Sequence, residues 1–93
     1  MLIRTQSKRR LINLNTISSI EIDTNDNSIY AKNRGIYYFL GEYSTEEKAL
    51  KVLDMIEERT NEPIYINDIG GNEYAKYPAP SFHMPQDNEV ELL

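Results

Sequence analysis

One segment limits what this chain can become. Ser44-Thr45-Glu46-Glu47-Lys48-Ala49-Leu50-Lys51-Val52-Leu53-Asp54-Met55-Ile56 carries start, stripe and charge signals for an amphipathic helix. Ser44 with Glu47 three residues on has the capping-box spacing, and Glu46 and Glu47 suit the positive end of the helix dipole. Ala49, Leu50, Val52, Leu53 and Ile56 fall on one stripe, with Glu47, Lys51, Asp54 and Glu58 opposite. Pro63 cannot continue a helix, and Asn61 tolerates the left-handed conformation at a helix end, so the helix is expected to stop there.

The residues before this helix read as strands. Leu2–Gln6 and Leu11–Leu14 flank the polar run Ser7-Lys8-Arg9-Arg10, which predicts a hairpin. From Ile17 to Asp23 the chain alternates, with Ser18, Ile20 and Ile22 on one face and Ser19, Glu21 and Asp23 on the other. Thr24-Asn25-Asp26-Asn27 is rich in residues that tolerate turn geometry, and Ser28–Lys32 resumes an extended run. Asn33-Arg34-Gly35 marks a further turn, because glycine adopts positive φ without steric cost, and Ile36–Tyr43 follows as the strongest strand. The expectation is an α+β fold, an antiparallel β-sheet of about five strands with one amphipathic helix packed on it.

Residues 1–60 would form this sheet-plus-helix core, and 61–93 an extended tail within the same single domain. In the tail, Ile64–Ile66 reads as a short strand, Asp68–Asn72 as a turn, and Tyr77–Pro80 as extended chain. Phe82-His83-Met84 is a candidate edge strand, followed by an acidic end, Gln86–Glu91, that reads as frayed. At 93 residues the chain has the size of one small domain with a modest core, for which self-association is a common way to bury more apolar surface; a homo-oligomer is expected.

Composition removes several chemistries. The absence of cysteine excludes disulfides, thiolate metal sites and a Cys nucleophile, and fits a reducing compartment. Residues 1–20 mix Arg4, Lys8, Arg9 and Arg10 with short apolar pairs only, so neither a signal peptide nor a membrane span is expected. The net charge of −5 is unevenly spread: residues 1–40 balance to +3 and residues 41–93 to −8. Overall acidity disfavours nonspecific binding of nucleic acid, whose phosphates dominate such affinity, while the basic half can still receive a small anion.

The motif-like segments mostly reduce to structure. Asp23, Asn25 and Asn27 match the first, third and fifth positions of a calcium loop, but Ser28 stands where the sharp turn wants glycine and Arg34 where a bidentate glutamate belongs. A hairpin turn accounts for them better. Arg34, Gly35 and Tyr38 have a faint likeness to an RNA-binding strand, yet several strands followed by one helix is not the βαββαβ order of that fold. His83 is the only histidine and has no identifiable second ligand or catalytic partner. The carboxylates of the helix follow its polarity, and no general-acid pair stands out. What remains is the basic set Arg4, Lys8, Arg9, Arg10, Lys32 and Arg34: arginine grips phosphate oxygens with two donors, and tyrosines such as Tyr37 offer rings on which a base can stack. These seven residues form the candidate ligand-binding set, against the plainer reading of a solvated basic rim or a protomer contact.

Three stretches also resemble a family of small uncharacterised proteins of phages, prophages and mobile elements of Gram-positive bacteria. Met1-Leu2-Ile3-Arg4-Thr5-Gln6-Ser7-Lys8 is similar to their opening, which usually has Trp at the place of Leu2. Leu40–Ile56 is similar to their strand-to-helix junction, and Phe82-His83-Met84-Pro85-Gln86-Asp87 to their closing motif, while residues 60–81 depart freely. The resemblance implies origin and architecture and brings no catalytic motif.

Together these readings predict no enzyme, cofactor or metal site, and a cytoplasmic location in the bacterial host. The expected function is that of a noncatalytic phage-encoded binding protein acting in counter-defence, sequestering a small anionic, phosphorylated host signal such as a cyclic nucleotide. The alternative is a protein–protein inhibitor that docks on a host or phage protein through its acidic helix and tail, for which addition of an edge strand is one mode.

Overall fold

The computed structural model describes residues 1–60, 68–69, 73–74 and 81–92. Each hairpin forms where turn chemistry allows it. Strands β1 (Leu2–Arg4) and β2 (Leu11–Asn13) pair antiparallel, and Lys8, at φ 68°, turns the chain between them. A 3₁₀ turn, Leu14–Thr16, leads to β3 (Ser19–Asp23), β4 (Ser28–Asn33) and β5 (Ile36–Glu42), an antiparallel meander. Between β3 and β4 the Asp23 and Asp26 side chains accept backbone N–H bonds from Asn25 and Ser28, the local bonding that makes aspartate a turn residue. Between β4 and β5, Arg34 (φ 51°) and Gly35 (φ 81°) form a two-residue loop with both centres left-handed, which matches the twist of the flanking strands.

The fold is α+β, but its strands are divided differently from the expected single sheet of about five. Among the described residues there are two sheets of three strands, β2-β1-β8 and β3-β4-β5, with β8 spanning Ser81–His83. A further pair, β6 (Asp68–Ile69) and β7 (Glu73–Tyr74), lies in the tail. The first sheet is not wholly antiparallel: β8 pairs parallel to β1, placing Ile3 beside Phe82 and Arg4 beside His83. Among the described residues a single main-chain bond joins the β1 hairpin to the meander, Gln6 N–H to the Leu40 carbonyl at 2.8 Å, too little to merge the sheets.

Helix α1 runs from Glu46 to Thr60. Its cap is Thr45, not Ser44: Thr45 Oγ1 accepts the Lys48 N–H at 3.1 Å and its carbonyl accepts the Ala49 N–H. Lys48 therefore occupies the third helical position, and the expected capping box with Glu47 does not form. The inward stripe is also narrower than expected. Ala49, Val52 and Ile56 are buried, while Leu50, rotated about 100° from Ala49, is 46% exposed.

One apolar cluster joins all these pieces: Ile3 and Ile12 from the first sheet, Ile29, Ala31 and Leu40 from the second, the helix stripe, and Phe82, Met84 and Val90 from the tail. Ile20 and Ile22 pack against it, as their alternation predicts. The acidic end is not frayed. Asp87–Glu89 forms a 3₁₀ turn, and Val90 is buried behind it. The expected strand Ile64–Ile66, the helix stop at Asn61 and Pro63, and the extended Tyr77–Pro80 lie outside the described residues.

Candidate functional site

The parallel β1–β8 pair builds the site. Arg4 and His83 are neighbours at the ends of their strands, and the Met84 N–H bonds to the Arg4 carbonyl at 3.0 Å, which carries the tail on past the hairpin loop. The result is a groove of about 520 Å³ lined by Arg4, Thr5, Lys8, His83, Met84, Pro85, Gln86 and Glu89. Its floor contains the buried Thr5 and Met84, and two cations and an imidazole stand on its walls. The single acid among them, Glu89, already accepts the Gln86 N–H at 2.8 Å. Arg4 donates one guanidinium N–H to the Lys8 carbonyl at 2.8 Å, holding the loop while leaving further donors in its five-donor fork.

The wall opposite β1 is fixed by a polar clasp. Gln6 Nε2 donates to the Glu42 and Pro85 carbonyls, and Gln6 Oε1 accepts the Glu42 N–H. Gln86 Nε2 returns a bond to the Gln6 carbonyl at 2.8 Å, and the Tyr43 hydroxyl donates to the Pro85 carbonyl at 2.8 Å. Asp87 accepts the Ser44 N–H at 2.8 Å and faces the Lys48 ammonium at 3.4 Å. The Ser44 N–H first, and then the Ser44 hydroxyl and Lys48, hold the Asp87 carboxyl below its usual value. Burial, with the negative charges of Asp87 and Glu89, pushes the Tyr43 phenol above its ordinary value, so it stays protonated and donates.

The seven candidate residues do not gather in one place. Arg4 and Lys8 meet in the groove. Arg9 is exposed on the same hairpin loop, and the Arg10 guanidinium lies 5.6 Å from the centre of the Tyr38 ring. Lys32 lies 5.3 Å from the Tyr37 ring, and Arg34 sits in the exposed β4–β5 turn. Because Tyr37 and Tyr38 are consecutive in β5, they point to opposite faces, and so Lys32 and Arg10 serve different surfaces. Of the other groove residues, none of which is in that set, His83 and Gln86 bring polar side chains, and His83 gains in Arg4 the neighbour that its sequence surroundings do not show. A parallel pairing between β1 and a strand near the other end of the chain leaves no local signal to find them.

Chemically, the groove can bind and orient an anion. Its one hydroxyl, on Thr5, contacts Ser7 Oγ at 3.0 Å and is not paired with His83 as an activated nucleophile would be. Among the described residues no three His, Asp or Glu side chains are placed to hold a metal ion, and no helix is long and apolar enough to cross a membrane. Comparison with protein-family models, curated proteins and solved structures finds no match.

Proposed function

We propose that this protein is a noncatalytic binding protein that takes up a small phosphorylated anion in the Arg4–Lys8–His83 groove. In the phage setting implied by the sequence resemblance, the anion is a host signal such as a cyclic nucleotide, and its sequestration is counter-defence. The observation that supports this reading is the convergence of two cationic side chains and an imidazole on one concave surface whose only acid is occupied by a backbone N–H. Arginine and lysine together suit a phosphate, the first by its fork and the second as a mobile point charge.

A melting-temperature series tests it. Binding to the native state alone raises stability with ligand concentration. A cyclic dinucleotide in the micromolar range should raise the melting temperature of the native chain and leave Lys8→Glu unmoved, while Lys32→Glu, on another face, keeps the response. An equal rise in Lys8→Glu, or none in the native chain with any cyclic mono- or dinucleotide, would overturn the proposal.

The protein-inhibitor reading changes shape. The tail that it uses is docked, with Asp87 engaged by Ser44 and Lys48, while the helix keeps an exposed acidic face of Glu46, Glu47, Asp54, Glu57 and Glu58.

A further inference from the structure

The meander has a second concavity on its outer face, and its chemistry is opposite to that of the groove beside the tail. About 450 Å³ in volume, it is lined by Glu21, Ile22, Asp23, Tyr30 and Tyr37, and none of these is basic. Register explains the arrangement. Glu21 lies directly across from Tyr30, Tyr30 across from Phe39, and Lys32 across from Tyr37, so these side chains share the sheet face that turns away from Ile29 and Ala31. The Tyr30 and Tyr37 rings stand perpendicular with centroids 6.2 Å apart, and Tyr30 meets Phe39 edge to face at 5.6 Å. Tyr37 is 54% exposed, although burying such a ring is favourable.

We infer that this concavity receives an arginine side chain carried by a partner polypeptide. Two perpendicular phenol rings present negative π faces to a cation, and the carboxylates beside them supply charge and acceptors. Ser19 Oγ donates to Glu21 Oε2, and the Asn25 N–H to Asp23 Oδ1, which leaves the second oxygen of each carboxylate for an incoming donor. Tyr37 already attracts a cation from within the chain, the Lys32 ammonium at 5.3 Å. A guanidinium fits better than an ammonium because its plane stacks on Tyr30 or Tyr37 while its edge donates to the open Glu21 oxygen. A phosphate-bearing ligand is disfavoured by the same two carboxylates.

The test titrates the isotope-labelled full chain with the blocked pentapeptide Gly-Ser-Arg-Ser-Gly and follows backbone amide shifts. Saturable shifts at Glu21, Tyr30 and Tyr37 are expected, with affinity falling about fivefold or more in Glu21→Gln and in Tyr37→Leu. The same peptide with citrulline, which keeps the shape and loses the charge, should not bind. Saturation by the citrulline peptide at equal affinity, absence of saturable shifts, or unchanged affinity in both folded variants would overturn the inference. If a variant fails to fold, the arginine–citrulline comparison on the native chain still decides.

Discussion

At the scale of single residues, Gln6 has the widest structural reach of any side chain in the clasp, since its amide ties β5 to the Pro85 carbonyl. Gln6→Ala should cost about 2 kcal/mol in denaturant unfolding, because the Glu42 N–H and carbonyl both lose the Gln6 amide and the Pro85 carbonyl is left with the Tyr43 hydroxyl alone. Gly41 is coupled to it: a Cβ at Gly41 would come within 3.3 Å of Gln6 Cδ and Oε1, atoms that Gln6→Ala removes. Gly41→Ala should therefore destabilise the native chain and do so measurably less in a Gln6→Ala background, and a double-mutant cycle reads that coupling directly. Ser28 shows the opposite case. It is 1% exposed and its hydroxyl has no hydrogen-bond partner among the described residues, so Ser28→Ala should be neutral or stabilising by up to about 1 kcal/mol. A clear loss of stability on that change would mean that the hydroxyl has a partner.

At the scale of elements, the hairpins and the helix were legible because their signals are local. The turn residues Thr24–Asn27 and Asn33–Gly35 lie between the strands they join, and the apolar spacing of Ala49, Val52 and Ile56 marks one helix face. Ser44 and Thr45 illustrate the limit of such reading. Both residues are good caps; in the fold the Thr45 hydroxyl takes the cap, and the Ser44 N–H bonds to Asp87, some forty positions away. Thr45→Ala should cost about 1 kcal/mol through loss of the cap acceptor, while Thr45→Ser keeps it. Arg34, left-handed at the β4–β5 turn, is where asparagine is favoured before glycine, so Arg34→Asn should raise stability by several tenths of a kcal/mol, about the advantage of a residue that tolerates positive φ. Equal melting temperatures in that pair would contradict the turn assignment.

At the scale of the whole molecule, the sequence could not disclose that the two ends of the chain meet. Phe82–Met84 was readable as an edge strand, but its parallel pairing with β1, and the docking of the supposedly frayed acidic end, arise from contacts across some eighty positions. The candidate site suffered most: Arg4 and Lys8 were found as basic residues, whereas His83 and Gln86 join them only through that pairing. The clasp bonds three separate stretches together, through Gln6, through Glu42 to Lys48, and through Pro85 to Asp87. The clasp has two pH limbs. Asp87 titrates below its ordinary value when folded, so its stabilising effect is present at neutral pH and is lost as pH falls through that depressed value. Melting temperatures of the native chain and Asp87→Asn should accordingly differ at neutral pH and converge well below pH about 4. Tyr43 titrates higher when folded, so its share is complete below about pH 10 and declines above it. The central claim, an anion held between the first hairpin and the docked tail, is tested most directly by titrating the isotope-labelled native chain with a cyclic dinucleotide and mapping the amide shifts. The account predicts saturable shifts at Arg4, Lys8, His83 and Gln86; shifts confined to Lys32, Arg34 and Tyr37, or none that saturate, would contradict it.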